Sequence, residues 1–245
     1  DFEKQSNFIN EANHILYFYE KYFDNKFIII PKLKMVSESF LLMSYEESEK
    51  IDNNMLSVYS KYKLLNMLYL FIRNNEIILN YNHGDLHKGN WGVRDNKLVI
   101  YDFGFCYSAN KEESNIVNLI PKTFDSENIL ELSKLHNNLQ YIMETIITED
   151  TSPSLKKNIN KMITTNFPTC KTFKLSSLVG EGSVSYFLKL VIDFCRDNDC
   201  IIRSKLLNYF ILYIQCHKYY EICGATENNR LSEQLYKKRY IDIIT

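Results

Sequence analysis

Two acidic residues and one asparagine stand in this sequence at a spacing suited to metal-assisted phosphate chemistry. Asp85 and Asn90 belong to the segment HGDLHKGN at 83–90, and Asp102 begins the triplet Asp-Phe-Gly at 102–104. Phosphoryl transfer needs a group that orients the attacking hydroxyl and a Mg²⁺ ion that neutralises the developing charge. Because Mg²⁺ prefers carboxylate and amide oxygens, the pattern predicts Asp85 as the catalytic aspartate and Asn90 with Asp102 as metal ligands.

The combination of the two loops is more specific than either loop alone. Asp85 and Asn90 have the separation of the kinase loop H-R-D-x-x-x-x-N, and the Asp-Phe-Gly triplet follows across a predicted strand–turn–strand. Gly84, Gly89 and Gly104 concentrate here in a chain with only seven glycines, and we expect them to supply unusual backbone angles. The alternative is a turn-rich segment between a helix and a hairpin, and the combined motif disfavours it.

Two histidines beside Asp85 allow two interpretations. His83 and His87 could join Asp85 or a cysteine in a transition-metal site, but such histidine pairs usually sit on a helix, as in H-E-x-x-H. The glycines between and after them disfavour a helix. We therefore expect His83 to brace the loop through a backbone hydrogen bond and His87 to line the site. Lys88 either contacts a phosphate or is a solvated loop lysine.

Composition narrows the class of protein. The chain has 245 residues with 45% hydrophobic content, enough to bury a sizeable core in one large domain or two lobes. Its formal net charge of −1 gives no basic surface that would predict nucleic-acid binding. Only seven glycines and four prolines occur, which favours a helix-rich fold. The six cysteines lack zinc-site spacing, so we expect reduced thiols and an intracellular, cytoplasmic setting.

The elements before the two loops must position them. Apolar residues recur at helical spacing over residues 1–23 and predict a helix. Short apolar runs at 27–30 and 40–43 predict two strands, close enough to suggest a hairpin. The polar stretch 44–49 indicates a connection between lobes. Residues 55–79 are apolar on nearly all sides, as expected for a buried central helix.

The elements within and after the loops are short strands and then helices. Strands are predicted at 91–93 and 98–101, and their connection carries the turn signal Asp95-Asn96. From residue 105 onward the apolar spacing is helical. The helices predicted there are 112–119, 126–149, 153–166, 182–197, 201–223 and 228–243.

These motifs together resemble one known family. The loop at 83–90 with the triplet at 102–104 resembles the UbiB-like atypical kinases, the coenzyme-Q-linked ADCK group, whose loop typically reads H-[AG]-D-x-H-P-G-N. Residues 8–12 are similar to the aromatic-x-x-Glu-Ala helix of that group. Residues 30–43 resemble the strand pair that leads to its hinge. The resemblance covers roughly residues 5–104.

The resemblance implies a fold and a chemistry. We expect an α+β, two-lobed protein-kinase-like fold, with a partial N-lobe at 1–45 and a mostly helical C-lobe at 46–245. It implies ATP and Mg²⁺ as cofactors, with Met43, Tyr45 and Glu46 in the adenine-binding hinge. ATPase or small-molecule kinase activity is favoured over protein phosphorylation, with links to lipid or quinone metabolism. The implied partners are a nucleotide, an unidentified small-molecule, lipid or protein substrate, and a peripheral membrane surface.

The sequence departs from this family at several positions. The family's Glu-x-Asp falls on Gln5 and Asn7, so the glutamate that pairs with the ATP-binding lysine would be replaced by Gln5, with Glu11 or Glu3 as a substitute. Lys88 replaces the usual proline. We expect the lysine-bearing strand, the nucleotide loop and the Lys-x-Gly-Gln segment to precede Asp1, which makes the chain N-terminally incomplete.

Two alternative functions stay open on the sequence. An aminoglycoside/choline-kinase-like phosphotransferase can also carry the loop His-Gly-Asp-Leu-His-x-Gly-Asn, although the triplet at 102–104 and the Glu-Ala helix count against it. A nucleotide-binding pseudokinase scaffold is favoured by Gln5 and Asn7 and disfavoured by the complete set of Asp85, Asn90 and Asp102.

Overall fold

The computed structural model describes residues 7–51, 56–124, 132–147, 152–168 and 184–222 of the chain. These residues form a helix-rich α+β structure with seven α-helices and seven short strands, as the sequence predicted. They divide into two compact units, one containing the described residues up to 108 and from 218 onward, the other containing those of 109–217. The lobe border predicted between residues 45 and 46 falls inside the first unit and stays a prediction.

The first helix, α1, runs Phe8–Tyr22, where the periodic pattern predicted a helix. Asn7 caps its start, because the side-chain oxygen accepts a hydrogen bond from the backbone N–H of Asn10 at 3.1 Å. The buried residues of the helix recur at three- and four-residue spacing: Ala12, Ile15, Phe18 and Tyr22. This buried face fixes the rotation of α1 about its own axis.

Three short strands follow α1: β1 (Ile28–Ile29), β2 (Leu33–Val36) and β3 (Leu41–Met43). The predicted hairpin of residues 27–30 with residues 40–43 is wrong, because β3 pairs antiparallel with β2. The backbone N–H of Ser37 donates to the carbonyl oxygen of Phe40 at 2.8 Å and closes the turn between β2 and β3. Pairing of β3 with β2 is favoured over pairing with β1, because the loop that must be closed is shorter.

Strand β1 joins a three-stranded sheet with two later strands: β5 (Trp91–Arg94) and β6 (Lys97–Ile100). Strand β6 lies in the middle, parallel to β1 and antiparallel to β5. Between β5 and β6, Asp95 and Asn96 have φ values of 50° and 60°, the left-handed pair of a type I′ turn. The predicted turn at these two residues is confirmed.

The buried central helix predicted at 55–79 is present as two segments: α2 (Val58–Asn74) and a π-helical turn (Asn75–Leu79). The hydroxyl group of Tyr22, at the end of α1, donates to Oδ1 of Asn75 at 2.6 Å and accepts from Nδ2 of Asn74 at 2.9 Å. This buried network ties the end of α1 to the end of α2. The π-helical turn has no signal in the sequence pattern.

The second unit is helical in its described residues: α3 (Lys111–Phe124), α4 (Leu132–Ile146), α5 (Pro153–Asn166), α6 (Val184–Asp197) and most of α7 (Ser204–Ile222). Four of the predicted helices match α3, α5, α6 and α7. The helix predicted at 126–149 is present as α4, and the helix predicted at 228–243 lies outside the described residues. None of the described helices has the length and apolar character that crossing a membrane requires.

Candidate active site

The two predicted loops are brought together by a short antiparallel ladder within the first unit. Strand β4 (Asn82–His83) pairs with strand β7 (Cys106–Tyr107). Just beyond the ladder, the backbone N–H of Gly84 donates to the carbonyl oxygen of Phe105 at 2.8 Å. The ladder therefore fixes the start of the first loop against the end of the second. Sequence reasoning missed it, because a two-residue strand beside glycine carries no periodicity.

Gly84 and Gly89 have close neighbours of different kinds. Neither has a left-handed φ, so the prediction that they supply unusual backbone angles is wrong. A Cβ atom at Gly84 would lie 2.7 Å from Cε1 of Tyr107 and closer still to the ring of Phe105. A Cβ atom at Gly89 would lie 2.6 Å from Cε1 of His87, whose side chain is exposed. Lack of space therefore requires glycine at Gly84, whereas the neighbour of Gly89 can move.

His83 links the two loops through its ring nitrogens. It is buried, its Nε2 lies 2.8 Å from the carbonyl oxygen of Tyr101, and its Nδ1 accepts from the backbone N–H of Asp85 at 3.2 Å. These contacts define the neutral tautomer with the proton on Nε2, and burial lowers the pKa of His83, which favours the same neutral form. The ring makes the backbone contact expected of a loop brace, and its two engaged nitrogens argue against a role as metal ligand.

His87 lies on the exposed side of the same loop. Its Nδ1 accepts from the backbone N–H of Gly89 at 3.0 Å, so in the neutral ring the proton sits on Nε2. That Nε2 lies 3.9 Å from Oδ2 of Asp85, and roughly half of each side chain is exposed. Nearby, Nζ of Lys50 donates to the carbonyl oxygens of Lys88 and Gly89 at 3.1 and 3.4 Å. Lys50 stands far from the motif in sequence, and no pattern identified it.

Asn90 has its amide group oriented by the loop itself. Its Nδ2 donates to the backbone oxygen of Asp85 at 2.9 Å, which leaves Oδ1 as the atom suited to a hard cation. Its backbone N–H donates to the carbonyl oxygen of His87, and its own carbonyl oxygen accepts from the N–H of Tyr101. The second of these bonds connects Asn90 directly to the residue before Asp102.

Asp102 has a strained backbone and an exposed side chain. Its φ is 53°, in the left-handed region that costs a non-glycine residue about 1–2 kcal/mol. Its Oδ1 accepts from the backbone N–H of Gly104 at 3.3 Å. Both neighbours are held: the hydroxyl of Tyr101 donates to the carbonyl oxygen of Glu46 at 2.7 Å, and the side chain of Phe103 is 1% exposed. The neighbours thus impose the conformation that presents the Asp102 carboxylate.

Helix α1 supplies a second carboxylate beside this turn. The pKa of Glu11 is raised by burial and then by the negative charge of Asp102, and the backbone N–H of Phe103 opposes that rise. Burial raises the pKa of the Cys106 thiol well above its usual range, and Glu11 and Asp102 add to that shift. Glu11 therefore shares its electrostatic surroundings with the predicted metal ligand. The other ion-pair candidates lie outside the described residues: Gln5 and Glu3.

His14 also reaches this turn, and the sequence analysis missed it. Its Nδ1 lies 2.7 Å from the carbonyl oxygen of Phe103, so the nitrogen is the donor. The one available signal was spacing, since His14 lies three positions after Glu11 on the same helix.

The predicted hinge residues have different surroundings. The side chain of Glu46 is paired with Nη2 of Arg94 at 2.8 Å and accepts from the hydroxyl of Ser44 at 2.8 Å. Tyr45 is 88% exposed, and Met43 ends strand β3. Ser44, Glu46 and Arg94 line a cleft of about 410 Å³ whose lining includes none of Asp85, Asn90 and Asp102. The side chain of Glu46 is thus held by Arg94 at the cleft, next to the predicted hinge.

The available protein oxygen atoms suit a cation that is bound partly by the protein and partly by phosphate. No group of three His, Cys, Asp or Glu side chains in the described part of the chain could enclose a metal ion. Mg²⁺ is commonly bound by one or two protein oxygens together with substrate phosphates and water. The exposed carboxylate of Asp102 and Oδ1 of Asn90 fit that mode of binding.

Comparison with known proteins gives one finding on family. A family model described as ABC1 atypical kinase-like domain matches residues 2–133, more than half of the chain. The matched range contains α1, both loops and the ladder between them. A search of curated proteins found no significant match.

Proposed function

The chain belongs to the ABC1 atypical kinase-like family, and on that premise we propose that it is an ATP- and Mg²⁺-dependent phosphotransferase or ATPase. Membership confirms the resemblance to UbiB-like atypical kinases drawn from the two loops. The catalytic assignments go further than membership and depend on the geometry of those loops.

One observation carries the proposal: buried His83 touches both halves of the site at once. It accepts from the backbone N–H of Asp85 and lies within hydrogen-bond distance of the carbonyl oxygen that precedes Asp102. Phosphoryl transfer depends mainly on positioning and on stabilising charge, and therefore requires the acceptor side and the metal side to hold a fixed relation. A neutral histidine with both ring nitrogens engaged holds the two loops in a fixed position relative to each other and adds no charge to the site.

The proposed roles follow from the atoms that remain accessible. Asp85 orients the hydroxyl or water that attacks the phosphate and accepts its proton. Asn90 and Asp102 hold Mg²⁺, which when bound would neutralise charge on the transferred phosphate. His87 directs its Nε2–H towards Asp85 and is available to a phosphate oxygen. Glu11 is the residue of α1 we assign as partner to the family's ATP-binding lysine, because a cation there would relieve its crowding with Asp102.

The acceptor and the setting are also proposals. Family resemblance favours a small-molecule or lipid acceptor over a protein, and a site reached at a membrane surface. We propose an intracellular setting, which the thiols of Cys106 and Cys195 support because neither is in a disulfide.

A pseudokinase scaffold is the competing function, and one observation bears on it. The side chain of Asn7, where the family has an acidic residue, caps α1. The asparagine at this position therefore has a structural role whether or not the protein turns over ATP.

Calorimetric titration of the full chain with ATP, with and without Mg²⁺, followed by an assay of phosphate release, tests the proposal. We expect Mg²⁺-dependent binding and slow hydrolysis that vesicles or detergent stimulate. Transfer to a soluble amino-sugar or to choline would instead favour the aminoglycoside/choline-kinase alternative. Binding without turnover under all conditions would favour the scaffold, and absence of binding would contradict both.

A further inference from the structure

Helix α1 holds Phe103 through its backbone and through its ring. The carbonyl oxygen of Phe103 accepts from Nδ1 of His14 at 2.7 Å, and the ring of Phe18 lies 5.1 Å from the ring of Phe103. Residues four apart on a helix share a face, so one helix makes both contacts with one residue. A residue bonded at its C=O and packed through its ring has little freedom to rotate the peptide plane that follows it.

The helix that carries these two side chains is itself anchored. Ala12, Ile15 and Phe18 are buried, and the ring of Phe18 packs 5.1 Å from the ring of Phe103. The ring of His14 lies edge-on to Tyr81, with 5.8 Å between centroids. His14 therefore acts from a fixed position rather than from a mobile surface.

The turn needs such support because Asp102 adopts a left-handed backbone conformation. A non-glycine residue persists at a φ of 53° only where its surroundings impose that angle. On one side, Tyr101 is bonded to Asn90 and His83. On the other side, the His14 and Phe18 contacts hold Phe103.

We propose that His14 and Phe18 form a two-point clamp on Phe103, one on its carbonyl oxygen and one on its ring, and that His14 is a positioning residue for the Asp102 carboxylate. The inference rests on the proposed function for the identity of the ligand, Mg²⁺ with ATP. His14 touches neither of these. It acts by keeping the backbone after Asp102 in the conformation that presents the carboxylate.

The substitution His14→Ala removes the donor and keeps the helix. His14→Asn is the matched rescue variant, because an asparagine Nδ2 lies close to where the histidine Nδ1 lies and the two residues have similar helix propensities. The control is His136→Ala in the second unit. His136 makes the same kind of contact, from Nε2 to the carbonyl oxygen of Phe167, also at 2.7 Å.

Hydrogen exchange of the full chain, measured without nucleotide, tests the clamp by itself. We expect the backbone N–H groups of Phe103 and Gly104 to exchange about tenfold faster in His14→Ala, the effect of losing one hydrogen bond. His14→Asn should exchange at close to the wild-type rate, and His136→Ala should leave these two groups unchanged. Unchanged exchange in His14→Ala would overturn the clamp.

The Mg²⁺ dependence of ATP binding tests the positioning role. His14→Ala should raise the Mg²⁺ concentration needed for half-maximal ATP binding about tenfold, with recovery in His14→Asn. Two results would overturn the positioning role. One is faster hydrogen exchange in His14→Ala with an unchanged Mg²⁺ requirement for ATP binding. The other is a His14→Ala variant that loses as much thermal stability as His136→Ala and shows no other difference from wild type. If the wild-type chain binds no ATP with Mg²⁺, the proposed function fails, and the exchange of Phe103 and Gly104 alone decides whether the clamp exists.

Discussion

The turn that carries Asp102 and the loop that carries Asp85 are held in opposite ways. Around Asp102 the backbone is fixed on both sides, with Phe103 and His83 each only 1% exposed. Around Asp85 the loop from His87 to Gly89 is exposed, and the side chains of His87 and Asp85 are 52% and 46% exposed. The side that we propose binds the metal is thus preorganised, and the side that we propose receives the acceptor is open to solvent.

This difference separates two kinds of mutational effect. On the open side, a substitution acts on the chemistry of the group that it replaces and leaves the fold nearly unchanged. On the fixed side, a substitution acts on position, and stability and metal affinity change together. The open side is also where an acceptor would be selected, since its residues have few partners that a substrate must displace.

The largest effect is expected on the open side, at Asp85. Asp85→Asn keeps the shape of the side chain and removes the proton acceptor, so turnover should fall by about 10²–10⁴-fold. ATP affinity and thermal stability should stay at wild-type values, because among the described residues the Asp85 carboxylate has one ion-pair partner, the exposed His87 at 3.9 Å. Paired phosphate-release and calorimetric measurements check this, and a parallel loss of ATP affinity would show that Asp85 belongs to the metal side.

Two glycine substitutions compare the packed start of the Asp85 loop, beside the β4–β7 ladder, with the exposed segment of the same loop. Gly84→Ala places a Cβ against the rings of Phe105 and Tyr107, and we expect a loss of about 1–3 kcal/mol in unfolding free energy, as for an overpacked core. Gly89→Ala meets only the exposed ring of His87, which can turn away into solvent, so its cost should be a few tenths of a kcal/mol.

Denaturant unfolding of both glycine variants gives the two free energies, and an assay of turnover gives a second contrast. Gly89→Ala should lower turnover while it leaves the free energy of unfolding nearly unchanged, because it moves His87 away from Asp85. Equal losses of stability in the two variants would show that the loop from His87 to Gly89 is as closely packed as the ladder.

The smallest effect is expected from the carboxyl of Glu11, and it depends on pH. Because the pKa of Glu11 is raised above 4.5, the chain takes up a proton at this residue as it folds, so this contribution to stability declines as pH rises above 4.5. Glu11→Gln keeps the shape of the side chain and removes the titrating group. The melting temperature of the variant minus that of wild type should therefore be more positive at pH 7 than at pH 4.

Thermal melts at the two pH values, with Glu20→Gln on the exposed face of α1 as control, check the Glu11 prediction. A stability difference between Glu11→Gln and wild type that does not change with pH would contradict the assigned cause of the shift. Excess Mg²⁺ should reduce the difference if the cation is held beside Asp102.

The family and the two loops could be predicted from the sequence, whereas the contacts that support the loops could not. Asp85, Asn90 and the Asp-Phe-Gly triplet were identifiable because motif chemistry requires fixed residue types at fixed spacings. The type I′ turn at Asp95-Asn96 was identifiable because few residues adopt two successive left-handed conformations. These are local properties, and a sequence carries local properties explicitly.

The support was not predictable because it depends on contacts between distant segments. Lys50 reaches a loop far along the chain, and the contact of His14 with Phe103 spans 89 positions. The strands of the β4–β7 ladder are too short for any alternation of side chains to appear. The strand at Ile28–Ile29 was correctly expected, but its partner was wrong because parallel pairing with β6 leaves no trace in local pattern.

The central claim, that Asp102 holds the metal with which ATP binds, is tested most directly by calorimetry on the full chain with Asp102→Asn against Asp95→Asn. Both residues are aspartates with a left-handed φ, 53° and 50°, which asparagine also tolerates, so the two variants differ in location and not in the kind of change. We predict that Asp102→Asn abolishes Mg²⁺-dependent ATP binding and that Asp95→Asn binds as wild type does. Equal ATP affinity in the wild-type chain and Asp102→Asn, with Mg²⁺ present, would contradict the account.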